Sequence, residues 1–193
     1  LNASPSTLET GKSFRELLVS ELYRSIQGES TYAGLPCAFV RLTGCPLRCV
    51  WCDSEFAFYG GKRMPLEEIV SEIACMEVPL VEVTGGEPLA QPGCLPLLPA
   101  LCDGGYQVLL ETSGALDIGP VDPRVIRIVD VKCPGSGEEA SNLWENLDKL
   151  RPADELKFVL ADRTDYEFAR DVIRARDLEE RDGLLLSAVQ GRL

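Results

Sequence analysis

The chain has 193 residues, 45% of them hydrophobic and 26% charged, which is enough to bury a core as one domain. Its formal net charge of −12 argues against a broad nucleic-acid-binding face and against docking on an anionic membrane. Histidine is absent, which excludes a Ser-His or Cys-His nucleophile pair and any His-ligated metal within this sequence.

No apolar run reaches the roughly 18–20 residues of a membrane-spanning helix, and the opening residues lack a signal-peptide pattern. Eight cysteines in such a chain fit a reducing cytoplasm better than a disulfide framework. Cys37, Cys75, Cys94, Cys102 and Cys133 read as small buried hydrophobes.

Taken in order, residues 1–20 form an N-terminal extension, with residues 13–20 expected as a frayed tail in preference to a short amphipathic piece. Residues 37–43 are apolar and rich in strand formers, ending at Gly44. Leu66, Ile69, Val70 and Ile73 recur at helical spacing behind Pro65, which suits a first turn. Residues 80–84 read as a short buried strand stopped by Gly85-Gly86. Residues 95–102 predict a helix that Pro96 and Pro99 keep short or broken. Strands follow at 107–111, 125–131 and 155–160. Thr164-x-x-Glu167 reads as a capping box opening a helix to about Arg176, and residues 184–189 close the series as a strand.

The alternation predicts an α/β fold with a mostly parallel sheet, open or barrel-like. Ligands of such sheets bind at the carboxyl ends of the strands. Gly44-Cys45, Thr84-Gly85-Gly86-Glu87, Glu111-Thr112-Ser113-Gly114 and Asp130-Val131-Lys132 all fall there.

Cys45, Cys49 and Cys52 stand at C-x3-C-x2-C with no fourth cysteine in register. Closed structural zinc sites and closed iron–sulfur sites take four ligands. Three thiolates in one loop hold a cubane cluster and leave one iron open to a chelating small molecule; a zinc knuckle or a set of unrelated thiols is the plainer alternative. Gly85 and Gly86 allow close backbone approach to a ligand, and Glu87 can receive an ammonium or brace the loop. Arg41, inside an apolar strand, is costly without a partner, whether that partner is a ligand or an internal Asp or Glu.

C-x3-C-x2-C with Gly85-Gly86-Glu87-Pro88 resembles the radical S-adenosylmethionine superfamily. That likeness implies a partial (β/α) barrel with helices outside, a [4Fe-4S] cluster on Cys45, Cys49 and Cys52, and S-adenosylmethionine chelated to the open iron. Ser25-Ile26-Gln27-Gly28-Glu29, Phe39-Val40-Arg41-Leu42, Trp51-Cys52-Asp53-Ser54, Glu111-Thr112-Ser113-Gly114 and residues 155–159 together resemble the 7-carboxy-7-deazaguanine synthase family, over residues 21–193 as a single domain. The family converts 6-carboxy-5,6,7,8-tetrahydropterin to 7-carboxy-7-deazaguanine with loss of ammonia, a step of queuosine and 7-deazapurine biosynthesis. The first step is removal of the C6 hydrogen by a cofactor-derived radical, so no side chain is implied as the abstracting group.

The resemblance further implies S-adenosylmethionine contacts from Trp51, Asp53, Gly85, Gly86, Glu87, Asp130, Val131 and Lys132. Ile26, Gln27, Gly28, Arg41 and Thr84 would face the pterin, and Ser54 would ligate a magnesium ion. For Lys132 a solvated rim charge, and for Glu111 a strand-end cap, are the plainer alternatives. An external one-electron reductant (flavodoxin or ferredoxin), a homodimer and a cytoplasmic setting complete the implied picture, without nucleic acid or membrane. The sequence ends at Gln190-Gly191-Arg192-Leu193, where the resemblance implies a further helix and a polar closing segment. That segment is expected to be missing. A glycyl-radical-enzyme activase of the same superfamily and a non-catalytic iron–sulfur electron-transfer module are the competing readings.

Overall fold

The structure is a computed structural model that describes residues 15–192. Eight strands form one sheet: β1 Glu16–Ile26, β2 Pro36–Leu42, β3 Lys62–Pro65, β4 Leu80–Gly85, β5 Gln107–Thr112, β6 Ile126–Val131, β7 Glu155–Leu160 and β8 Leu184–Ala188. Their spatial order is β3-β1-β2-β4-β5-β6-β7-β8. From β2 to β8 every neighbouring pair is parallel, whereas β1 runs antiparallel to both β2 and β3. Three helices, α1 Leu66–Ala74, α2 Cys94–Asp103 and α3 Arg163–Ala175, cover one face. The result is a partial (β/α) barrel whose sheet does not close.

Side-chain alternation along the strands sorts the two faces. Val81 and Val83 of β4 and Val108 and Leu110 of β5 pack with Ile69, Ile73, Leu97, Leu98 and Leu101 of the first two helices. Leu156 and Phe158 of β7 pack with Ala169 and Ile173 of α3. Full burial of a side chain such as Phe158 contributes roughly 1.5–3 kcal/mol. On the other face, Cys37, Phe39, Leu80, Leu109, Ile126 and Ile128 form a smaller apolar floor. The β1–β2 hairpin reaches across this face: Thr31 donates to the Glu155 carboxylate through its amide at 3.1 Å and also through its hydroxyl.

Several expectations are corrected. Residues 16–20 are not a frayed tail but the start of β1, where Leu17 and Val19 are buried; residues 13 and 14 lie outside the described residues. A register shift between Val19 and Glu21 changes the face that β1 presents, and that irregularity hides its period in the sequence. Of the two forms expected for the 95–102 helix, α2 takes the short one, ten residues without a break: Pro96 sits in its first turn, where an amide has no helical acceptor, and Pro99 alone is interior. α3 begins two residues before the expected box: Asp162 caps it by accepting from the amides of Thr164 and Asp165. Glu167 instead pairs with Arg163 at 2.8 Å. Cys75 is exposed and Cys102 half-buried, while Cys37, Cys94 and Cys133 are buried as expected. Strand–helix alternation also fails between β5 and β6 and between β6 and β7, where turns and short 3-10 segments connect the strands.

At the strand N-terminal ends, away from the polar rim, Asp154 is fully buried and accepts from Arg127 Nε at 3.0 Å and Arg151 Nη2 at 2.9 Å. Although burial works against its charge, these guanidinium donors hold the carboxyl down to about 2.

Candidate active site

The four motifs at the strand C-termini open into one cavity of about 840 Å³. All the sequence-predicted site residues except Glu87 line it: Ile26, Gln27 and Gly28 from the hairpin; Arg41, Cys45, Cys49, Trp51, Cys52, Asp53 and Ser54 in and after β2; Thr84, Gly85 and Gly86 at the end of β4; and Asp130, Val131 and Lys132 at the end of β6.

The cysteine loop is anchored by its own chain. Arg48 Nη1 donates to the carbonyls of Cys45 at 2.8 Å and Leu47 at 2.6 Å, and its guanidinium lies 4.3 Å from the Phe58 ring centre. The Val50 amide donates to the Ser136 carbonyl at 2.9 Å, joining the loop to the segment after β6. None of the three cysteines is in a disulfide. Burial raises the thiols of Cys45 and Cys49, while the Lys132 charge favours their ionised form. Lys132 is itself no solvated rim charge: it pairs with Asp130 at 2.7 Å with little exposure. Burial opposes its charge, but Asp130 and Cys49 raise it above the ordinary lysine value.

The two glycines at the end of β4 serve an approach between backbones. Gly85 has φ +143°, and a Cβ there would lie 2.2 Å from the Leu42 carbonyl oxygen. A Cβ on Gly86 would lie 2.2 Å from the Gly44 oxygen and 2.9 Å from Cys45 Cβ. Main-chain bonds close the same seam, Gly86 N to Leu42 O at 3.1 Å and Glu87 N to Gly44 O at 2.8 Å. The glycines therefore press the β4 loop against the cysteine loop. Of the two roles open to Glu87, the structure takes bracing: its fully buried carboxylate accepts from Leu89 N at 2.9 Å, Thr112 Oγ1 at 2.9 Å, Ser113 N at 2.7 Å and the Ser113 hydroxyl.

Arg41 has the internal partners left open by the sequence. Its Nε donates to Glu21 at 3.0 Å and its Nη2 to the Tyr23 hydroxyl at 3.3 Å. Ser54 donates to Asp53 Oδ1 at 2.7 Å. Below them lies a charged group that sequence reasoning missed. Lys157, inside β7, pairs with Glu111 at 2.9 Å and with Glu29, and Thr84 also donates to Glu111 at 3.0 Å. Burial opposes the Glu111 charge, yet Lys157 holds the carboxyl below its ordinary range. Glu82 of β4 is 4% exposed and accepts from Gln27 Nε2. Burial, reinforced by the Glu111 charge, pushes its carboxyl up to about 8. The available signal was two-residue alternation: Glu82 and Thr84, like Glu155 and Lys157, occupy the face opposite the helices.

A family model described as "Radical SAM superfamily" matches residues 39–130. The 7-carboxy-7-deazaguanine synthase of Koribacter versatilis is 54% identical over 165 residues, covering 84% of this chain and 73% of that protein. The chain belongs to the 7-carboxy-7-deazaguanine synthase family. Its Chlorobaculum tepidum member is 43% identical over 92% of this chain and 82% of the relative. The crystal structure of QueE from Escherichia coli superposes with a TM-score of 0.78 at 22% identity, over 96% of this chain and 90% of that one, a likeness of fold.

Membership makes the protein an enzyme of the radical S-adenosylmethionine class, with a [4Fe-4S] cluster and S-adenosylmethionine as cofactors, acting on a small molecule with an external reductant. The donor set fits. Cys45, Cys49 and Cys52 are three free thiols from one loop, and all three line the cavity, the thiolate donors that an iron–sulfur cluster takes. Asp130 Oδ1 is buried with no hydrogen-bond partner, an acceptor suited to a cofactor donor. Among the described residues no helix is long and apolar enough to cross a membrane.

Proposed function

We propose that the protein converts 6-carboxy-5,6,7,8-tetrahydropterin to 7-carboxy-7-deazaguanine with loss of ammonia, as a step of queuosine-type 7-deazapurine biosynthesis. The observation that carries this reading is the single cavity shared by the cysteine loop, the Gly85-Gly86 loop and the Ile26–Gly28 hairpin segment. When bound, the cluster with S-adenosylmethionine supplies a carbon radical able to remove one substrate hydrogen.

Cys45, Cys49 and Cys52 would hold the cluster. Trp51, Asp53, Gly85, Gly86, Asp130, Val131 and Lys132 would line S-adenosylmethionine, and Glu87 would act on it only through the loop it braces. Ile26, Gln27, Gly28 and Thr84 would face the pterin. Arg41 spends Nε and Nη2 on Glu21 and Tyr23, which leaves Nη1 for the substrate carboxylate. Ser54 Oγ donates its proton to Asp53 and keeps lone pairs for magnesium, a hard cation that takes oxygen ligands. A homodimer, a flavodoxin or ferredoxin as electron donor, and a cytoplasmic setting belong to the same proposal, as does a single domain over residues 21–193, to which β1 adds the buried Leu17 and Val19.

The test is anaerobic reconstitution of the cluster followed by incubation with S-adenosylmethionine, magnesium, a reductant and the carboxy-tetrahydropterin. The reading requires 7-carboxy-7-deazaguanine and one equivalent of ammonia. A fully loaded protein that makes neither, and instead installs a radical on a polypeptide, would be an activase.

A further inference from the structure

We propose that Glu82 recognises the substrate ring by accepting the paired N–H donors of a 2-amino-4-oxopyrimidine edge, with Phe39 set against the ring face. This deepens the pterin reading above and rests on it. Glu82 sits mid-strand on the cavity-facing side of β4, paired in register with Phe39 of β2, and both line the cavity. Phe39 stacks on Tyr23 with ring centres 5.1 Å apart and planes within 13°, so the wall beside the carboxyl is flat and apolar, suited to a planar heterocycle.

The carboxyl has little else to do. Its hydrogen-bonded partner among the described residues is Gln27 Nε2, on Oε2, while Gln27 Oε1 is occupied by the Glu29 amide at 3.0 Å. The groups facing Glu82 are Cys37 on β2, Glu111 on β5, Lys157 on β7 and Glu29 from the hairpin. Lys157 is committed to Glu111 and Glu29. A nearly enclosed carboxyl without a cation is costly unless donors meet it. Two parallel N–H groups, as an aminopyrimidinone presents, supply that match in the manner of a bidentate fork. The unliganded carboxyl titrates at about 8 through burial and the Glu111 charge, and donors favour its ionised form. Below pH 8 binding therefore expels a proton, and affinity rises with pH by up to about tenfold per unit until pH 8.

Binding to the reconstituted holoprotein with S-adenosylmethionine, followed by calorimetry from pH 6 to 8.5, tests this with 6-carboxytetrahydropterin and its 2-oxo (lumazine) counterpart. Wild-type protein should prefer the 2-amino compound by at least about tenfold. In E82Q the amide donates to a 2-oxo group, so the preference should collapse or reverse and the pH dependence should flatten. Wild-type protein that binds both compounds alike, or E82Q that keeps preference and pH profile, overturns the inference. The wild-type comparison decides even where E82Q fails to fold. Pterin turnover without 2-amino preference sinks this inference alone. Preference without product sinks the proposed reaction instead, and no pterin binding at all sinks both.

Discussion

Glu87→Gln separates bracing from direct cofactor binding. The carboxylate gives one oxygen to Leu89 N at 2.9 Å and the other to Ser113 N at 2.7 Å, with Thr112 Oγ1 at 2.9 Å from both. Glutamine has one oxygen and one NH2, so either orientation sets NH2 against a backbone N–H that cannot turn away. One buried donor loses its acceptor, at about 1–3 kcal/mol, and the remaining bonds lose charge assistance. The sum is roughly 2–4 kcal/mol. For a chain of this length each kcal/mol moves Tm by about 2–4 °C, so thermal unfolding of the reconstituted variant should come on the order of 10 °C earlier. Iron content should fall with it, because the β4 loop is stitched to the cysteine loop through Glu87 N and Gly44 O. An E87Q protein with unchanged Tm and iron but weakened S-adenosylmethionine binding would show that the carboxylate meets the cofactor directly, and the bracing argument would be wrong.

Gly86→Ala should be among the most damaging single-methyl changes, since its Cβ falls 2.2 Å from a main-chain oxygen of the cysteine loop. Overpacking there costs about 1–3 kcal/mol, and iron and sulfide assays should show poor cluster assembly. Cys49→Ala should drop iron from roughly four per chain toward zero while leaving far-ultraviolet circular dichroism unchanged; wild-type protein that binds one tight zinc, lost in the variant, and takes up no iron would favour the knuckle. Asp154 is depressed from 3.8 to about 2 in the fold. It therefore adds stability that is full above about pH 4 and is lost as pH falls through 2. Asp154→Asn should lower stability at pH 7 by about 3 kcal/mol, and its denaturant midpoint should vary less than that of wild type between pH 4 and 2.

The parallel strands were legible because short runs dominated by Val, Ile and Leu stand between turn residues, as in Leu80–Gly85 and Ile126–Val131, although each also carries charged residues. β1 was not: it is antiparallel, shifts register at Val19–Glu21 and mixes Glu, Arg and Ser among its apolar residues. The cysteine loop and the Gly-Gly turn were legible as spacing, but the purpose of the glycines was not, since they press two loops together and the partner backbone is remote in sequence. For the same reason the Thr112 and Ser113 contacts of Glu87 were invisible. Asp162 was passed over because Thr164 and Glu167 match a box that the chain does not use. Glu82 and Lys157 looked like isolated charges in apolar strands; only the sheet's curvature and the hairpin crossing it bring them into one cavity. Arg41 was recognised as needing a partner, and it has both Glu21 and an opening toward the cavity.

The most direct measurement follows the hydrogen that the proposed reaction must remove. Reduced, cluster-loaded protein would be given substrate deuterated at C6 with unlabelled S-adenosylmethionine, and both nucleoside and product analysed by mass spectrometry. The account predicts deuterium at the 5′ carbon of the nucleoside or of recovered S-adenosylmethionine, together with 7-carboxy-7-deazaguanine. S-adenosylmethionine cleaved without label transfer, and substrate returned unchanged, would contradict it.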